Sequence, residues 1–106
     1  MKIYDFAYSK EIITVDSVKT LDADILDRTV NGNIVPCSVT ISVLDGDLRF
    51  WVDGSTPTSS EGLLAVENST FSLYGELSLK KAKFINSSAT VTLNVQYFTD
   101  RALGLI

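Results

Sequence analysis

The chain contains no histidine, one cysteine and two prolines in 106 residues. Without histidine it lacks the commonest general base, the serine–histidine pair and the usual transition-metal ligand. The lone Cys37 excludes an internal disulfide and a cysteine-based zinc cluster, and it fits folding in a reducing compartment. No apolar run reaches the ~18 residues of a membrane span, and Asp5 and Lys10 interrupt any apolar core near the start. A soluble cytosolic product is expected. Positive charge is also scarce: nine Lys and Arg stand against thirteen Asp and Glu, a formal net charge of -4. Nucleic acid and anionic membrane surfaces need clustered basic residues, so neither is an expected partner.

What remains is apolar and β-rich. Hydrophobic residues make up 45% of the chain and charged ones 21%, a balance that selects a folded domain over a disordered one. A chain of this size buries roughly two-thirds of its unfolded surface, enough for one core and no second domain. From Ala89 to Phe98 the apolar residues Ala89, Val91, Leu93, Val95 and Tyr97 alternate with Thr90, Thr92, Asn94 and Gln96. That period of two describes a half-buried antiparallel strand. Ser38–Val43 alternates in the same way, meets Asp45-Gly46, and is followed by Leu48–Val52, which reads as a β-hairpin. Further strands are expected at Glu11–Val18, Leu63–Val66, Thr70–Tyr74 and around Leu77–Ile85, with one helical turn between Asp22 and Arg28. The fold class expected is all-β: an antiparallel β-sandwich or small jelly roll of about seven to eight strands.

Catalytic and metal-binding constellations are weak. Asp22, Asp24 and Asp27 lack the Gly and Glu that a calcium loop requires, and Asp45 and Asp47 around Gly46 suit turn chemistry. The acids fall in turns, where water keeps them ionised, and not across a cleft as glycoside hydrolysis demands. Ser55, Ser59 and Ser60 have no base partner and no nucleophile elbow. No enzyme, no catalytic residue, no metal and no cofactor is therefore expected. Asn68-Ser69-Thr70 and Asn86-Ser87-Ser88 mark exposed turns, and Lys80, Lys81 and Lys83 read as a charged strand edge. If Leu48, Phe50 and Val52 point inward, then Arg49, Trp51 and Asp53 point outward. Trp51 is then either a contact platform or core beneath another sheet.

The most distinctive stretch is Leu48-Arg49-Phe50-Trp51-Val52-Asp53-Gly54-Ser55-Thr56-Pro57-Thr58. It resembles an arginine–aromatic–x–x–Asp-Gly-x-x-Pro-Thr signature in small virion proteins of tailed bacteriophages. There, as here, a Gly (Gly62), an apolar pair (Leu63, Leu64), a lysine–aromatic segment (Lys83, Phe84, Ile85) and a closing Tyr97-Phe98 follow. The resemblance runs from Val39 to Phe98. A related Asp-Gly-Ser-x-Pro-Thr turn also looks like the accessory β-sandwich domains of chitobiase-type glycosidases. Either way the motif makes physical sense as a structural turn: Asp53-Gly54 permits it, Pro57 sets φ, and Thr56 and Thr58 satisfy loop amides.

The phage resemblance implies a non-enzymatic virion component, a decoration or stabilising protein on the capsid. Its partners would be other virion proteins and further copies of itself, in the host cytoplasm during assembly and in the virion afterwards. The alternative is a carbohydrate-binding accessory β-sandwich using Trp51 and Tyr74. Residues 1–106 are expected to form one domain with assembly arms at residues 1–10 and 99–106. Tyr4, Phe6 and Tyr8 form an aromatic stripe at strand spacing, and Leu103, Leu105 and Ile106 belong to an uncharged tail. These residues and Trp51 are the candidate partner contacts.

Overall fold

The computed structural model describes residues 6–27, 29–30, 33–34 and 36–99. In chain order the elements are β1 (Phe6–Val15), α1 (Ala23–Leu26), β2 (Thr29–Val30), β3 (Asn33–Ile34), β4 (Pro36–Leu44) and β5 (Leu48–Trp51). They continue with β6 (Leu63–Ala65), β7 (Thr70–Tyr74), α2 (Glu76–Lys81), β8 (Lys83–Asn86) and β9 (Val91–Thr99). Seven strands form two antiparallel sheets, one of order β1-β9-β4-β7 and one of order β6-β5-β8, while β2 and β3 make a short separate ribbon. The all-β sandwich expectation holds.

The strand β9 sits between β1 and β4, and its alternation is the one read from the sequence. Val91, Leu93 and Tyr97 are fully buried and Val95 nearly so, whereas Asn94 between them is exposed. Val39, Ile41 and Val43 of β4 and Ile13 and Val15 of β1 continue this inner face. Opposite them lie Leu48, Phe50, Ala65 and Phe84 of the smaller sheet. Phe50 stacks on Phe71 of β7 at 4.8 Å between ring centroids, which locks the two layers together. The helices and the residues beside them close the rest of the core with Leu21, Ile25, Leu26, Leu79 and Ala82. Asp22 caps α1, its carboxylate accepting the Asp24 amide at 2.9 Å, and this agrees with the helical turn expected there.

Two expectations are corrected. The stretch from Leu77 onward is helical before it becomes strand. Leu79 is buried while Leu77 is two-thirds exposed, a helical and not an alternating pattern. Glu76 and Lys80 pair across one turn at 3.7 Å, and Lys80 and Lys81 sit at the helix C-terminus, where cations are favoured. It follows that Lys80, Lys81 and Lys83 do not line one strand edge.

The Asp45-Gly46 turn does not close a hairpin either: β4 pairs with β7 and β9, β5 with β6 and β8. The turn is an arch that carries the chain from one sheet to the other. A two-residue hairpin of this type needs positive φ at both central residues, and only Asp45 has it, at 73°. Gly46 serves close packing instead, since a Cβ there would lie 3.3 Å from Val91 and 3.4 Å from Ala89. A second arch, from β6 to β7, uses Asn68 at φ 69°. The two arches are tied together by the Asn68 amide donating to Val43 O at 2.7 Å and the Glu67 amide to Asp47 Oδ1 at 2.8 Å.

Finally, Phe6–Lys10, the described part of the first expected arm, is the start of β1 and pairs with β9 of its own chain. Tyr4, Leu103, Leu105 and Ile106 lie outside the described residues, as do the side chains of Phe6 and Tyr8.

Candidate functional site

The segment singled out in the sequence forms a true hairpin with β6. The strand β5 runs Leu48–Trp51, a loop follows from Val52 to Gly62, and β6 returns beside β5 with Leu48 opposite Ala65 and Phe50 opposite Leu63. Leu48 and Phe50 are buried, whereas Arg49 and Trp51 face outward, as the alternation predicts. Trp51 is half-buried, with Lys83 of β8 as its cross-strand neighbour, and no described strand of the larger sheet pairs beside it.

Local chemistry makes the loop rigid. The Asp53 carboxylate accepts the Ser55 amide at 2.9 Å, and these bonds to Ser55 hold its pKa below the ordinary carboxylate value. Gly54 takes φ 94° and Pro57 is buried. Thr58 and Glu61 exchange main-chain bonds at 2.9 and 3.3 Å, and the Thr58 hydroxyl accepts the Glu61 amide at 3.0 Å. Thr58 therefore does what the sequence suggested. Thr56 does not: its hydroxyl meets Lys83 Nζ at 3.5 Å and no loop amide. At the end of the loop, Arg49 Nη1 donates to Gly62 O at 3.1 Å. Gly62 is at φ 135°, and a Cβ there would stand 3.1 Å from Phe50 N and 3.3 Å from Pro57 Cβ. Arginine, proline and glycine thus place the start of β6 as one unit.

What this unit presents is an apolar sheet edge. Leu63, Leu64 and Val66 are each about half exposed, at 50%, 51% and 50%, and β6 has no strand partner beyond β5 among the described residues. Glu61 and Glu67 flank them at the two ends and are exposed. A row of unpaired main-chain groups beside exposed leucines is a template for strand addition. The sequence reading identified the loop but not this edge. The sequence places Leu63 and Leu64 on a strand and in the motif's apolar pair, but which strand lies outermost depends on pairing between distant segments.

Other surfaces carry less. A groove of about 570 Å³ crosses the outer face of the larger sheet, lined by Lys10, Ile12, Thr40, Ser42, Asn94 and Gln96, among others. Its hydroxyls are already engaged, Thr40 with Ser72 and Ser42 with Thr70, both at 3.1 Å. Trp51 and Tyr74 stand on different sheets, so they do not make one stacking platform. An acid–phenol pair, Glu11 with the Tyr97 hydroxyl, also accepts the Asp22 amide and ties α1 to β1 and β9. Burial and then the Glu11 bond push the Tyr97 hydroxyl far above its ordinary pKa of 10.0. Among the described residues no cluster of three acidic or cysteine side chains could hold a metal ion, and no helix is long and apolar enough to cross a membrane. Compared with known proteins, the chain matches no family model, no curated protein and no solved structure.

Proposed function

We propose that this chain is a non-enzymatic structural component of a tailed-phage virion, a small capsid-associated decoration or stabilising protein. It acts by subunit–subunit contact, folding in the host cytoplasm and functioning in the particle. The observation that supports this reading is the apolar edge of β6, held in place by the Arg49–Gly62 bond and the rigid loop. Burying apolar surface there contributes about 25 cal/mol per Å² removed from water. That rigid unit includes the residues, Arg49 through Thr58, on which the resemblance to small virion proteins rests.

The test is co-purification with phage particles from cells that make them, comparing the native chain with Leu64→Lys. Leu64 lies on the outer face of the edge, so the variant is expected to keep its melting temperature and lose incorporation. A native chain absent from particles, yet bound by immobilised glycans, would replace this reading with that of a carbohydrate-binding accessory domain.

A further inference from the structure

Leu63 is exposed where its row is not. It lies opposite Phe50, on the inner face of the smaller sheet, where Leu48, Phe50 and Ala65 are all buried. Half of Leu63 nevertheless meets solvent, because the smaller sheet stops at β6 with three strands while the larger has four. A further strand beside β6 would complete the inner face and pair the open main chain.

We infer that residues 101–106 of a neighbouring copy supply this strand, extending the subunit-contact reading proposed above. Three observations select this occupant. A second β6 is a poor partner, since two-fold antiparallel pairing about Leu64 sets Glu61 against Glu67 at both ends. The tail is complementary: Arg101 is followed by Ala102, Leu103, Gly104, Leu105 and Ile106. With Arg101 beside Glu67 in antiparallel register, Leu103 and Leu105 fall beside Ala65 and Leu63 on the inner face, and Gly104 beside Leu64. Reach then favours another copy over the same chain. The contact of Gly46 with Val91 and the bond from Asn68 to Val43 hold the Val66 end of β6 near the start of β9. Residues 100–106 depart from the other end, eight strand steps or roughly 27 Å away. Seven residues extend at most ~25 Å, and that length is used up in reaching the edge. Each copy would then give its tail to the next and receive one on β6, a heterologous contact.

The experiment follows the full chain by sedimentation equilibrium over a range of concentrations. The native chain is expected to form oligomers that grow with concentration. A donor-deficient variant lacking residues 103–106 and an acceptor-deficient Leu63→Lys variant should each associate at least about tenfold more weakly. Mixed together, they should form a one-to-one dimer that grows no further, because one retains the tail and the other the edge. If Leu63→Lys unfolds the monomer, the charge swap decides. Glu67→Lys alone should weaken association, and adding Arg101→Glu should restore it. A native chain that stays monomeric, variants that associate like the native chain, or a charge swap without rescue would overturn the inference. Oligomers that behave as described but never enter particles would instead overturn the virion reading and leave this one standing.

Discussion

Leu93 and Tyr97 sit on the same face of β9 and illustrate two ways a single residue holds the fold. Leu93 is fully buried among apolar neighbours, so Leu93→Ala removes contacts and leaves a cavity. The expected loss is roughly 2–5 kcal/mol by denaturant unfolding, and a loss under half of the lower figure would mean the site collapses freely. Tyr97 adds a polar tie, its hydroxyl donating to Glu11 within reach of the Asp22 amide. Its folded pKa is raised, so the stabilisation is complete below the unfolded value of 10.0 and is lost as pH rises beyond it towards the folded one. The native protein should therefore lose stability progressively above about pH 10. Tyr97→Phe should cost about 1–3 kcal/mol at neutral pH and flatten that alkaline decline, measured by urea unfolding at each pH.

At the scale of elements, the β5–β6 hairpin depends on two glycines with different burdens. Gly54 has positive φ but open space around it, whereas Gly62 has positive φ and backbone atoms of Phe50 within 3.2 Å. Gly54→Ala should cost about 1–2 kcal/mol of backbone strain alone. Gly62→Ala should cost more and displace the start of β6, which a fall in both melting temperature and self-association would reveal. Among the described residues no three acidic or cysteine side chains gather to hold a metal ion. Calcium should leave the melting temperature unchanged, because a ligand of the native state alone must raise it. The helix α2 makes the opposite point about charge. Lys80 bridges Asp27 at 3.6 Å and Glu76 at 3.7 Å, but all three are partly exposed, so Lys80→Ala is expected to cost less than about 1 kcal/mol.

Across the whole molecule, the first long strand pairs with the last. Phe6 stands opposite Thr99 and Val15 opposite Val91, so the larger sheet is complete only once these distant segments meet. Sheets dominated by such distant pairings fold in milliseconds to seconds. Trp51 is the only tryptophan and is half-buried on β5 of the smaller sheet, so its fluorescence reports the cooperative folding of the domain. Refolding followed by its fluorescence should fall in that range, and a microsecond phase carrying the full amplitude would contradict the topology. The same pairing keeps Phe6–Lys10 within its own sheet as an edge.

Alternation alone determined much of the molecule. Which residues of β9, β4 and β5 turn inward follows from a period of two that any half-buried strand must obey. Leu21, Ile25 and Leu26 at helical spacing made α1 legible, and Asp53, Gly54, Pro57 and Thr58 made the loop legible, because both signals act within a few residues. Tertiary structure decided what local signals cannot carry. Asp45-Gly46 carries the same dipeptide whether it closes a hairpin or arches between sheets, and contact with Val91 and Ala89 selected the arch. Leu77 and Leu79 fit a strand by alternation, and packing of Leu79 in the core together with the Glu76–Lys80 pair made the segment helical. The open edge at Leu63 and Leu64 exists only because β6 is outermost, a property of sheet order that no stretch of sequence contains.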